Sequence, residues 1–375
     1  MNTTQAARST VRRHKLAALL AVAVFGAVLA GPATAGAATL QKGFWGPTTV
    51  NGVSQFPIYR DLGVTIYQMA VSWNSVAPTR PGDPRNPADP AYQWSPDVDY
   101  ALQQAQLYNM RVMLMLVGSP SWANGGRASN FAPSRSSDFA DFARAAARRY
   151  PTVRHWMVWG EPMRIPNFMP MVAQKKLGQA LTTAQKRGPH RYAQLLDATY
   201  GALKAVNPRN LVIGGNSYTT GDIRPLRWIQ NLKLPNGRPP RMDLYGHNPF
   251  SYRGPDLKKP QSDLELVDFS DLGRFTKKVD QYLGRPRHKR LRLFLSEFTV
   301  PTDAPDKEFN FFVTRALQAK WIRDGFKVAK SVNAYALGWI HLYDDPPAGG
   351  APVVRGGLLT SDGTKKPGYF AFKRG

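Results

Sequence analysis

Trp156-Met157-Val158-Trp159-Gly160-Glu161-Pro162 and Leu293-Phe294-Leu295-Ser296-Glu297-Phe298 are short hydrophobic runs that each meet one glutamate at the far end. A carboxylate closing a buried strand is costly unless its surroundings or its work compensate. The two glutamates stand 136 residues apart, so only a fold can bring them together. Six more aliphatic or β-branched runs complete a series of candidate strands: 43–46, 65–73, 112–117, 156–159, 211–214, 242–247, 291–296 and 334–341. Each is separated from the next by material able to form a helix. Strands alternating with helices imply βαβ units and a parallel sheet, and eight of them imply a closed (β/α)8 TIM barrel, an α/β fold.

The intervening segments carry helical signals. Phe139, Phe142, Ala143, Ala146 and Tyr150 share one face at helical spacing. Asp138 and Asp141 open that segment and Arg148 and Arg149 close it, matching the helix dipole. Residues 192–206 and 271–283 read the same way, the latter closing on Gly284, and 309–329 is the longest. Three connections are too long for simple turns: 74–95 with five prolines, 163–191 and 344–363. All three leave the carboxyl ends of strands, where barrel active sites are built. No repeat or low-complexity linker divides the chain, so 38–375 is expected to form one catalytic domain.

Residues 1–37 read as a secretory signal peptide and are set aside from the fold. Arg12, Arg13 and Lys15 precede an apolar run over 16–30, and 33–37 offers small-residue cleavage sites. The run is short for a membrane span, though an uncleaved anchor is the alternative reading. The arginine pair raises a twin-arginine route against the general one, with flanking residues that match that signal poorly. The expectation is a secreted, extracellular protein. It contains no cysteine, so neither a disulfide nor a thiolate metal site holds it. Its six histidines show no ligand-like pairing, and neither metal nor cofactor is expected.

The formal net charge is +25. Removing Arg8, Arg12, Arg13 and Lys15 with the leader leaves +21. Such a field attracts polyanions, including acidic polysaccharides and anionic cell-wall polymers. The larger share of the charge is read as a solvated surface. The densest run, at 285–292, directly precedes a strand and so belongs on the barrel face away from the chemistry. No nucleic-acid fold signature is present, and no nucleic-acid partner is expected.

In this register Glu161 follows the fourth strand and Glu297 the seventh, both over one face. Cleaving a glycosidic bond requires two carboxyl groups flanking it, one to protonate the leaving oxygen and one to attack or to activate water. Either glutamate alone would be equally well explained by an ion pair with an arginine. Two at equivalent strand ends favour the catalytic reading. Trp73, Trp122, Trp159 and Trp339 fall at or just past strand ends, where indoles can stack on sugar faces. Asn216 and the His247-Asn248-Pro249 stretch are expected to add hydrogen-bonding groups there, with His247 orienting substrate or nucleophile, although a lone histidine is more often a satisfied core residue.

These motifs resemble the retaining glycoside hydrolases of clan A, most nearly the cellulase-like members of families 5 and 39. The resemblance runs from Gly43-Phe44-Trp45-Gly46 to Lys366-Pro367-Gly368-Tyr369. It implies that Glu161, in Trp159-Gly160-Glu161-Pro162, is the acid/base, and that Glu297, in Leu295-Ser296-Glu297-Phe298, is the nucleophile. It places the family's strand-three pattern on Ser119-Pro120-Ser121-Trp122-Ala123, its strand-six histidine on His247 and its strand-eight tryptophan on Trp339. Glu161 is then expected in the drier setting. The implied activity is hydrolysis of a polysaccharide or oligosaccharide by a monomer. Two departures stand out. Gly160 replaces the asparagine that usually precedes the acid/base and meets the sugar's 2-hydroxyl, with Asn216 as the substitute. The aromatic beyond the histidine is Phe250, with a phenol only at Tyr252. These departures motivate a rival reading, a catalytically impaired barrel that binds carbohydrate or anionic wall polymer.

Overall fold

The computed structural model describes residues 39–260, 265–284, 290–304, 309, 311–346 and 353–375. Ala38–Gly375 cluster as one compact unit. Residues 1–37, read above as a leader, lie outside the described residues.

Among the described residues, eight parallel strands close into a barrel. They are β1 (Gln41–Trp45), β2 (Ile66–Ser72), β3 (Arg111–Val117), β4 (His155–Val158), β5 (Leu211–Tyr218), β6 (Leu244–Asn248), β7 (Arg292–Leu295) and β8 (Ala336–Ile340). A packing helix follows each: α1 (Phe56–Asp61), α2 (Pro96–Leu107), α3 (Ser136–Arg149), α4 (Thr183–Val206), α5 (Pro225–Asn231), α6 (Leu272–Leu283), α7 (Arg315–Ser331) and α8 (Pro367–Arg374), with one-turn helices at Trp73–Val76 and Ser121–Asn124 in the loops after β2 and β3. Neighbours in sequence are neighbours in the sheet, and β1 closes the ring by pairing with both β8 and β2. The architecture is the expected (β/α)8 barrel.

Strand alternation sorts the side chains into two cores. Ile66, Met113, Met157, Ile213, Leu244, Phe294 and Ala336 fill the lumen. Their neighbours Tyr67, Leu114, Trp156, Val212, Tyr245, Leu295 and Leu337 turn outward and pack under the helices. The helices supply matching apolar faces. Phe139, Phe142, Ala143 and Ala146 of α3 are all buried, as their spacing predicts. No helix among the described residues is long and apolar enough to cross a membrane.

Two helices differ from the sequence reading. The α4 helix starts at Thr183, nine residues before the expected Tyr192, because Thr182 and Gln185 form a capping box that satisfies free N–H groups at its start. The loop after β4 is correspondingly shorter. The α7 helix starts at Arg315 rather than 309, where the Thr314 side chain accepts from the Leu317 N–H. Of the dense basic run, 285–289 lie outside the described residues. Arg292 opens β7, donating to the Asn333 and Ala334 carbonyls, at the barrel end opposite Glu297.

At the mouth of the barrel the lumen becomes polar. The Gln68 amide crosses from β2 to the start of the β7 loop, where Nε2 donates to the Ser296 carbonyl (3.0 Å) and Oε1 accepts from the Ser296 hydroxyl (3.1 Å). The Trp45 indole N–H also donates to that hydroxyl (3.1 Å). Space for this crossing comes from paired glycines, Gly43 on β1 opposite Gly338 on β8. A Cβ at Gly338 would collide with the Ser296 carbonyl and come within 2.7 Å of Gln68 Nε2. Gly338→Ala is therefore expected to cost about 3 kcal/mol or more in urea unfolding, at or beyond the top of the usual overpacking range. Gly273→Ala in α6, whose Cβ would meet nothing nearer than 3.6 Å, should be neutral or stabilising by up to about 1 kcal/mol.

Candidate active site

The chain leaves β4 in a strained turn. Trp159 and Glu161 both adopt positive φ (66° and 42°), a region that costs a bulky L-residue energy and persists only where packing enforces it. The enforcement is visible. The Trp159 indole is buried between Phe139 and Phe168, and its N–H donates to the Asn167 carbonyl at 2.7 Å. This anchor turns Glu161 back over the barrel mouth, 7% exposed. Its Oε2 accepts from Arg164 Nη1 (2.6 Å) and Asn167 Nδ2 (3.3 Å), and its Oε1 from Asn248 Nδ2 (2.8 Å).

Glu297 follows Ser296, which the Gln68 and Trp45 contacts hold. It is half-buried, so Glu161 does occupy the drier setting. Both glutamates line one cleft of about 350 Å³. Asn74, Ser129, Asn130 and Asn167 supply its polar wall, and Met115 its apolar one. Neutral amides and hydroxyls around two carboxyl groups suit a hydroxyl-rich ligand. The Tyr218 phenol, at the end of β5, lies within the field of both glutamates. Burial first, then the charges of Glu161 and Glu297, push its pKa up to about 12 despite the nearby Arg164. It therefore stays a neutral donor. Among the described residues no group of three His, Asp or Glu side chains is placed to hold a metal ion.

The other expected site residues fall elsewhere. Trp73 and Trp339 are each 1% exposed. Trp73 stacks on Phe142, and Trp339 faces outward between Phe298 and Phe372, because the inward places on β8 belong to Ala336 and Gly338. Both are core side chains, not sugar platforms, whereas Trp159, also buried, borders the cleft that holds the two glutamates. Trp122 is half-buried, but the Arg80 guanidinium lies over its face at 4.6 Å and its N–H donates to the Ala77 carbonyl. Tyr252 is 66% exposed against Phe311 and borders a separate small pocket with Tyr218 and Phe250. Asn216 is fully buried beside Gly246 and does not open on the cleft. It therefore cannot replace the missing asparagine at Gly160, whose Cβ direction is filled by the Met115 sulfur at 3.1 Å.

His247 is the satisfied core histidine. It alternates with inward Gly246, points out toward Phe275, and is 0% exposed. Its Nε2 lies 3.0 Å from the Val267 carbonyl, which only accepts, and its Nδ1 lies 2.8 Å from the Ser217 hydroxyl. Asn248, part of the His247-Asn248-Pro249 stretch read as polar, does reach Glu161, whereas Arg164, Asn167 and Tyr218 are the neighbours of the carboxylates that the sequence reading missed. Asn248 directly follows His247 with the opposite alternation. Trp45 was quoted only as a strand end, yet it borders a second groove of about 1000 Å³ on the same face, with Tyr343 and His341.

No protein-family model matches the sequence, and no curated protein matches it. Solved structures do. A family 39 glycoside hydrolase from the gut symbiont Bacteroides cellulosilyticus WH2 superposes with a TM-score of 0.63 at 17% identity, over 90% of this chain and 63% of that one. The family 39 enzyme of Xanthomonas axonopodis pv. citri gives 0.57 at 16%, over 89% and 65%. A monomeric β-xylosidase from Caulobacter crescentus CB15 gives 0.56 at 18%, over 89% and 66%. The fold is the one these glycoside hydrolases share. This chain spans just under two thirds of the length of each.

Burial pushes the His247 pKa down to about 4. A folded value below the unfolded one, about 6.5, adds stability that is fully present above pH 6.5 and is lost as pH falls toward 4. Denaturant unfolding should show roughly 3 kcal/mol of this loss arising from His247 by pH 4. His247→Gln should flatten the slope in that window.

Proposed function

We propose that this chain is a secreted retaining glycoside hydrolase acting on an extracellular polysaccharide or oligosaccharide. The observation that carries the reading is the shared cleft, in which carboxyl groups from the ends of β4 and β7 meet. The shared fold with family 39 enzymes supports it.

In the first step the Glu297 carboxylate attacks the anomeric carbon as the bond to the leaving oxygen breaks. Glu161 gives its proton to that oxygen, and a glycosyl ester on Glu297 remains. In the second step Glu161, now a carboxylate, takes a proton from water. The resulting hydroxide equivalent displaces Glu297 from the anomeric carbon, and net retention follows. Tyr218 offers a neutral hydroxyl near both carboxylates. The reaction draws on no cofactor. The leader-like residues 1–37 support export, and the positive charge supports loose association with anionic wall polymers. The monomeric Caulobacter β-xylosidase supports action as a monomer.

A second reading, a barrel that binds glycans without cutting them, draws on Met115 filling the place beside Gly160 and on Arg164 seated against Glu161. Digestion of a broad glycan library separates the two. Glu297→Ala should abolish product formation, a loss of at least about 10⁴-fold. Glu161→Ala should regain turnover of an activated aryl glycoside when azide is added. Undiminished hydrolysis by Glu297→Ala would refute the assignment.

A further inference from the structure

Arg164 sits where an acid catalyst has least use for it. Its Nη1 donates to Glu161 Oε2, and Asn167 and Asn248 donate to the same carboxylate. A guanidinium has five N–H donors and no acceptor. A proton bound for a leaving oxygen has to ride on one of the Glu161 oxygens and face the substrate. With Arg164 in place, the carboxylate is arranged to receive protons rather than to deliver one. The first chemical step calls for something that draws the guanidinium away.

Arg164 is built to be drawn away. Its side chain is 39% exposed and holds Glu161, which lines the cleft. Its guanidinium lies over the Tyr218 ring, 4.7 Å from the centroid. Among the described residues it makes one hydrogen bond, that to Glu161. The remaining donors form the planar fork that matches a carboxylate in bidentate fashion. The net charge, +21 without residues 1–37, brings anionic glycans toward the protein.

Resting on the glycosidase reading above, we propose that Arg164 is the specificity-determining residue of the cleft and that it recognises the carboxylate of a uronic acid unit in the substrate. Arrival of that carboxylate exchanges one ion pair for another and leaves Glu161 oriented toward the leaving oxygen. A neutral sugar makes no such exchange.

Calorimetric titration of the full chain tests this without relying on turnover. The probes are glucuronate and galacturonate, their neutral counterparts glucose and galactose, and glucose 6-phosphate as a tetrahedral anion. The wild-type protein should bind at least one uronate tenfold or more tighter than its neutral counterpart in low salt. Arg164→Gln should erase the preference. Arg164→Lys, which keeps the charge without the fork, should retain only part of it and serves as the readout if Arg164→Gln does not fold. Equal binding of acid and neutral sugars by the wild type would overturn the proposal. So would a preference that survives Arg164→Gln, or tighter binding of glucose 6-phosphate than of either uronate. Uronate binding through Arg164 without any hydrolysis would uphold this inference and remove the hydrolase reading.

Discussion

The rest of the site depends on how much room the barrel mouth leaves for one amide. Gln68 reaches across the lumen to bond both the carbonyl and the hydroxyl of Ser296, and it can do so only because β1 and β8 present Gly43 and Gly338. Trp45 secures the same hydroxyl from a third strand. The residue before Glu297 is thus held on several sides by buried polar contacts, which hold a geometry more firmly than apolar packing alone because each unmet partner is costly. Glu297 inherits that rigidity.

Glu161 is placed by a different device. The lumen contributes the Asn248 amide, and a buried tryptophan keeps a backbone turn in a left-handed conformation that neither Trp159 nor Glu161 would adopt freely. The two carboxylates therefore differ in kind: one extends a rigid strand, and the other hangs on a strained turn surrounded by three donors. An acid/base that must exchange partners between steps gains from such a seat, and a nucleophile that must hold its line of attack gains from the other.

Much of this was legible in the sequence, and the gaps have identifiable causes. The eight hydrophobic runs lie on the eight strands, because alternation of apolar strand and amphipathic helix follows directly from a layered barrel. Position along a strand was readable, so both glutamates were placed at the correct end. The face was misjudged for Trp339 and His247. Each stands next to an inward glycine, Gly338 and Gly246, so strict alternation turns both outward under the helices. Small residues at those lumen places were the available signal. Trp73 and Trp159 lie at the turn beyond the strand, where period-two alternation ceases and packing against α3 decides. Arg164 and Asn167 approach Glu161 through a loop that folds back on itself, and Tyr218 through a strand longer than its hydrophobic run. Nothing in their spacing announces either.

The central claim is that Glu297 forms a covalent bond to the sugar while Glu161 assists. The most direct measurement is mass spectrometry of the protein after incubation with activated 2-deoxy-2-fluoro glycosides, of both neutral and uronate types. Such sugars slow the second step and trap the ester. The account predicts one label per chain, on Glu297, abolished in Glu297→Ala. A label on another residue, or hydrolysis of the parent glycosides that releases the inverted anomer, would contradict it.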